Sequence, residues 1–228
     1  LRIFDRGFVN DIAVRTPLKE EQILFSCDVW QDGKTQEARI EFEVEPVRGA
    51  AESMEPLIQK FEWPSVRRTP AELSTQARRI EFRSDWKEPH LWTFDDPFLY
   101  RVRARLYLRE QLVDESQWHR FGFREFSRRG SDFILNGKTT HLRGHQIDLG
   151  WGNQMERVKE LKAAGMNCFE LSGPIRNNWY AGTPYRPRQF REILDYADEH
   201  GLLALPVLPS ARILKDRIFE PGVAKLYK

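Results

Sequence analysis

The hydrophobic pattern of this chain changes period once, and that change divides it into two kinds of fold. Before Phe126 the apolar residues recur at every second position, and beyond Phe133 they recur at helical spacing. Tyr100, Val102, Ala104, Leu106 and Leu108 alternate with Arg101, Arg103, Arg105, Tyr107 and Arg109. Ala38, Ile40, Phe42 and Val44 alternate in the same way with Arg39, Glu41, Glu43 and Glu45. Successive side chains of a strand point to opposite faces, so each run predicts a strand with one buried and one wet face. Ile23 to Trp30, Arg79 to Arg83 and Leu112 to Phe121 are weaker runs of the same kind. Gln31-Asp32-Gly33-Lys34 carries Asp-Gly turn chemistry and predicts a hairpin or a short loop. About six short strands with no helix among them point to an antiparallel sandwich.

The second half reads differently. Asn153 followed by Glu156 is an asparagine version of the capping box, and Met155, Val158 and Leu161 then lie on one helix face. Gly165 stands where a left-handed cap ends such a helix. Asn167 to Ser172 is a short strand. Pro187 opens a second helix with Phe190, Ile193, Leu194 and Ala197 on one side, and Gly201 closes it. Leu202 to Leu208 is a nearly continuous apolar strand, the pattern of one covered on both faces. Counting a strand through Leu142, the order is strand, helix, strand, helix, strand. Right-handed crossovers build that order into an open doubly wound sheet or a (β/α)8 barrel. The turn after the first strand reads Asp148-Leu149-Gly150-Trp151-Gly152-Asn153 and lacks the dinucleotide-binding glycine fingerprint. Between the halves, Ser127-Arg128-Arg129-Gly130-Ser131-Asp132 is polar and is read as a linker at the domain boundary.

Charge narrows the function. Lys plus Arg is 36 against 34 for Asp plus Glu, a net charge of +2, whereas nucleic-acid and anionic-membrane binders need clustered surplus cation. Neither partner is expected. Cys27 and Cys168 fall in different halves, with no CxxC pair or Cys/His cluster, so neither a metal site nor a disulfide is expected. The apolar stretch from Leu202 is broken by Pro206 and is too short to span a bilayer.

Three ordered segments carry a family resemblance. Glu88-Pro89-His90-Leu91-Trp92-Thr93-Phe94-Asp95-Asp96-Pro97-Phe98-Leu99-Tyr100 resembles the "lWsp..P.LY" stretch of the family-two glycoside hydrolases. Arg120-Phe121-Gly122-Phe123-Arg124, then Phe133-Ile134-Leu135-Asn136-Gly137-Lys138 and Leu142-Arg143-Gly144, resembles that family's "fGfR…f.lNGk…lRG". Val158 to Asn167 resembles its first barrel helix and the "lK..G.N" turn. The resemblance implies an immunoglobulin-like β-sandwich followed by the first βα units of a TIM barrel. Residues 1–16 would be the tail of a preceding sugar-binding jelly-roll, 17–126 the sandwich and 127–228 the incomplete barrel.

It also implies an O-glycosyl hydrolase that retains configuration at a β-linked sugar, needing no cofactor. Retention needs two carboxyl groups about 5–5.5 Å apart. The family places them after its fourth and seventh barrel strands, so both are expected downstream of Lys228 and no catalytic residue is assigned here. Barrel sites draw on strand C-termini and the loops after them. The carbohydrate-binding candidates are therefore His145 and Asp148 after the first strand, Glu170 in the second, and Arg176, Asn177 and Trp179 in the loop after it. Parity puts Glu170 on the face of Cys168 and Ser172, opposite Phe169 and Leu171, with an ion pair to Arg143 as the structural alternative. Glu170 and Gly173 stand where the family has arginine and histidine. A non-catalytic carbohydrate-binding relative, or a sandwich serving as an interaction module, therefore stays open.

Overall fold

The computed structural model describes residues 7–31, 38–47, 59–62, 78–108, 110–148, 153–172 and 187–206. The chain forms two compact units, Leu1–Thr139 and Thr140–Lys228.

The first unit contains β1 (Gly7–Arg15), β2 (Gln22–Gln31), β3 (Ala38–Pro46), β4 (Gln59–Glu62), β5 (Arg78–Asp85), β6 (Tyr100–Leu108), β7 (Gln111–Glu115) and β8 (His119–Phe121). One antiparallel sheet runs β1-β2-β5; the other runs β4-β3-β6-β7, with β8 also paired to β6. Both inner faces feed one core, in which Val9, Ile23, Phe25, Cys27 and Ile80 meet Ile40, Phe42, Val44, Val102, Ala104 and Leu106. This is the sandwich the alternation predicts. Along β6 every second residue is buried. The register sets Ile40 opposite Leu106 and Val44 opposite Val102 on the inner face, and Glu43 opposite Arg103 and Glu45 opposite Arg101 on the outer. The outer pairs form a ladder. Arg103 reaches Glu43 at 2.8 Å and Glu115 at 3.1 Å, and Arg105 reaches Glu43 at 2.8 Å and Glu115 at 2.6 Å. Solvent still reaches these groups, so each pair contributes roughly 0.2–1 kcal/mol.

Two expectations change here. Gly7 to Arg15, read as the tail of a preceding domain, is an edge strand laddered to β2, and its Val9 N–H donates to Asp114 Oδ2 at 2.9 Å. β2 and β3 belong to different sheets, and the Asp32-Gly33 stretch, expected as a hairpin or short loop, lies outside the described residues. The run from Leu112 to Phe121 is two strands, both on β6. Between them Ser116 Oγ accepts the Ala104 N–H at 2.9 Å, holding the chain to β6 between the two strands.

The stretch read as a linker also folds. β9 (Phe126–Arg129), β10 (Asp132–Leu135) and β11 (Lys138–Thr140) form a small antiparallel sheet in the order β11-β10-β9. Its first strand is exposed throughout, and a ribbon open to water needs no apolar alternation to form. Asn136 and Gly137 both have positive φ, 51° and 79°, as a two-residue hairpin turn requires. Asn136 does more than turn the chain. Its Oδ1 accepts the Glu125 N–H and its Nδ2 donates to the Trp92 carbonyl, each at 2.9 Å. Trp92 is fully buried, its N–H donates to the Phe123 carbonyl at 2.9 Å, and the Arg124 guanidinium lies 4.6 Å over its ring. Segments distant in sequence thus meet at one tryptophan.

The second unit contains β12 (Gly144–Asp148), α1 (Gln154–Ala163), β13 (Cys168–Ser172), α2 (Pro187–Glu199) and β14 (Leu203–Pro206). The strands are parallel in the order β12-β13-β14. The first strand starts at Gly144 and leaves Leu142 outside it, correcting the expectation of a strand through Leu142. Asn153 caps α1 by accepting the Glu156 N–H, and Gly165 with φ 76° ends that turn. Ile147, Phe169 and Leu171 pack under Val158, Ile193 and Ala197, so the helices cover one face of the sheet. Asn167 ties its lower end together: Oδ1 accepts the Arg143 N–H at 2.7 Å and Nδ2 donates to the His141 carbonyl at 2.8 Å.

Both cysteines are free and buried, one in each unit. Burial pushes the Cys27 thiol up to about 12 and raises Cys168 as well. Since the thiolate is the reactive form, a thiol-reactive dye should label neither residue in the native protein and both after unfolding. Rapid labelling of either in buffer would contradict the packing described here.

Candidate functional site

The helices leave the other face of the parallel sheet open. The ladders place Gly144, Gln146 and Asp148 in register with Cys168, Glu170 and Ser172, and set Leu203 and Leu205 beside Cys168 and Glu170. In-register residues of parallel strands share a face. This face therefore carries Gln146, Glu170, Leu203, Leu205 and, by register, Asp148 and Ser172. Glu170 and Gln146 are exposed on it, and Leu205 is 40% exposed. The expected cover on both sides of β14 is thus present, among the described residues, on the helix side alone.

Glu170 lies where parity put it, opposite the buried Phe169 and Leu171. It has no ion-pair partner among the described residues. Arg143, the expected structural partner, instead donates from Nε to the Gly165 carbonyl at 3.3 Å. Asp148 is the last residue of β12, within the strand where a following loop was expected. His145 is also within β12, but it shares the parity of Ile147, facing the helix side, with its Nδ1 2.8 Å from the Gln146 carbonyl. The structure therefore brings Asp148 and Glu170 to one face and leaves His145 off it. Arg176, Asn177 and Trp179 lie outside the described residues.

Two residues that shape this face carry no chemistry of their own. A Cβ at Gly144 would stand 2.5 Å from both the carbonyl oxygen and the Sγ of Cys168, so β12 and β13 approach as closely as they do because residue 144 is glycine. Asn167 fixes where β13 begins. The Arg-Gly and Gly-x-Asn patterns contain both, yet nothing in their spacing reveals the contact.

The three strands contain no lysine or arginine. Among the described residues no three His, Cys, Asp or Glu side chains gather as a metal cluster would need, and no helix is long and apolar enough to cross a membrane. On the sandwich, Trp118 lies under the guanidinium groups of Arg101 and Arg103, each 4.5 Å from its ring, so it is not a bare platform for stacking.

Comparison with known proteins places these observations. The sequence model of the family described as glycosyl hydrolases family 2 matches residues 7–124. A β-galactosidase of Alteromonas mediterranea is 26% identical over 164 residues, covering 65% of this chain and 14% of that protein. A putative β-glucuronidase of Formosa agariphila is 32% identical over 145 residues, covering 61% of this chain and 16% of that protein. The chain thus spans about one-seventh of the length of these curated relatives. Among solved structures, a glycosyl hydrolase family 2 member from Bacteroides cellulosilyticus superposes with a TM-score of 0.67 at 19% identity, over 94% of this chain and 29% of that one. A β-glucuronidase from Ruminococcus gnavus gives 0.57 at 18% identity, over 90% and 30%. At such identity these two likenesses speak for the fold.

Proposed function

Because the chain belongs to the glycosyl hydrolases of family 2, matched over residues 7–124, we propose that the complete protein hydrolyses O-glycosidic bonds of carbohydrates. It acts on β-linked sugars with retention, and this chain supplies scaffold and one wall of the site. The family match over the sandwich, continued by a parallel strand–helix–strand–helix–strand segment, carries the reading. The sandwich is immunoglobulin-like. Its order β1-β2-β5 against β4-β3-β6-β7 is a Greek-key arrangement, and Tyr100 at the start of β6 accepts the His90 N–H at 3.1 Å, in the manner of a tyrosine corner. The jelly-roll then ends before Gly7. The second unit is the beginning of a (β/α)8 barrel, and its open face looks into the barrel, where further strands cover Leu205.

On this reading the acid/base and nucleophilic carboxylates come from later strands of the barrel. Asp148, at the end of β12, and Glu170, in the middle of β13, contact substrate, and Arg176, Asn177 and Trp179 close over it from the following loop. His145, on the helix side of β12, is left out of this set.

Purified complete protein is expected to turn over an aryl β-glycoside, and the 228-residue protein alone is not. In the complete protein, Glu170→Gln should lower kcat/KM by about tenfold or more while leaving Tm unchanged, since an exposed carboxylate with no ion pair among the described residues contributes little to folding. Saccharide binding without turnover would make the protein a non-catalytic relative. A fall in Tm with activity merely tracking the folded fraction would give Glu170 a structural role.

A further inference from the structure

Resting on the glycosidase reading, we propose that the open face of β12–β14 selects glycosides of uncharged sugars and rejects those of uronic acids. The charged residues that register places on this face are both carboxylates, Asp148 and Glu170. None of the three strands offers a cation, and Arg143, directly before β12, is engaged with the Gly165 carbonyl. A sugar carboxylate brought to this face meets like charge, and the repulsion grows as substrate displaces water. Sugar hydroxyls are donors, and an ionised carboxylate accepts from them in short, charge-assisted hydrogen bonds. Leu205 lies in register with Glu170 and presents apolar surface for the C–H face of a pyranose ring. An acceptor beside an apolar patch, with no cation on the three strands, suits a neutral hexose whose C6 carries a hydroxyl.

The test uses the complete protein with matched p-nitrophenyl substrates, a panel of neutral β-hexosides and the β-glucuronide, under one buffer at pH 7. The best neutral substrate is expected to exceed the glucuronide in kcat/KM by at least about 100-fold, the order produced by two nearby like charges. Glu170→Gln should narrow that ratio by about tenfold, because it keeps size and removes one charge. Preference for the glucuronide would overturn the inference and leave the glycosidase reading intact, with Arg176 the first cation to examine. An unchanged ratio in Glu170→Gln would overturn the assignment of selectivity to this face. Turnover of neither class would remove the glycosidase reading itself, and this inference with it.

Discussion

Replacing Gly144 with alanine is expected to destabilise the second unit by about 3 kcal/mol or more, the upper range for forcing an atom into packed structure. The added methyl would sit 2.5 Å from the Cys168 carbonyl oxygen and 2.5 Å from its Sγ, with the carbonyl carbon at 3.0 Å. The sulfur belongs to a short side chain that can turn or be removed. The carbonyl oxygen cannot move alone, because it is main chain of β13, which is laddered to β12 on one side and β14 on the other. Relief would therefore require the two strands to separate at their first paired residues, next to the point where Asn167 holds Arg143. Urea unfolding followed by far-UV circular dichroism measures the effect. The double variant Gly144→Ala/Cys168→Ala separates the two contacts, and it should recover only part of the loss. A single variant within 1 kcal/mol of the parent would mean that the strands part more easily than the close approach implies.

Trp92→Ala in the first unit should cost about 4 kcal/mol, the middle of the range for emptying a buried aromatic site. Here the ring is fully buried, Phe94 meets it edge-on at 5.9 Å, and Arg124 covers its face at 4.6 Å. Gly122 leaves room for it, since a Cβ there would come within 3.0 Å of the Trp92 Cβ. Trp92→Phe keeps an aromatic body and should cost roughly half as much. The Trp92 carbonyl receives Asn136, so ring and turn act together. Combining Trp92→Ala with Asn136→Ala should therefore cost less than the sum of the two singly. Strict additivity would show that the tryptophan and the turn are independent.

The parts of this fold that the sequence reveals are those whose burial repeats. β3 and β6 are nine residues each and alternate without a break, so their faces could be read directly. The helices were legible for the same reason: Met155, Val158 and Leu161, and Phe190, Ile193, Leu194 and Ala197, all pack on the second core. β12 was misplaced because Gly-His-Gln-Ile-Asp holds one apolar residue in five and shows no period. The stretch from Ser127 to Asp132 reads as linker because β9 is exposed throughout, and an exposed strand satisfies its backbone by pairing and needs no apolar face. At the candidate site, the side of β13 that Glu170 occupies followed from parity, whereas its lack of an ion pair among the described residues did not. That depends on Arg143 turning to the Gly165 carbonyl, a contact set by the turn after α1.

Two asparagines stand on either side of the change in architecture. Asn136 fastens the last hairpin to Trp92 and Glu125, and Asn167 fastens His141 and Arg143 to the start of β13. The boundary between the compact units, at Thr139 and Thr140, lies between these clamps. Each clamp closes within its own unit, and neither depends on a side chain from across the boundary. For modular evolution, and for anyone building chimaeras, this peptide is a natural crossover point. A sandwich ending at Thr139 takes its own clamp with it, as does a second unit beginning at Thr140. A crossover placed instead at the polar Ser127–Asp132 stretch would separate Trp92 from the asparagine that holds its carbonyl.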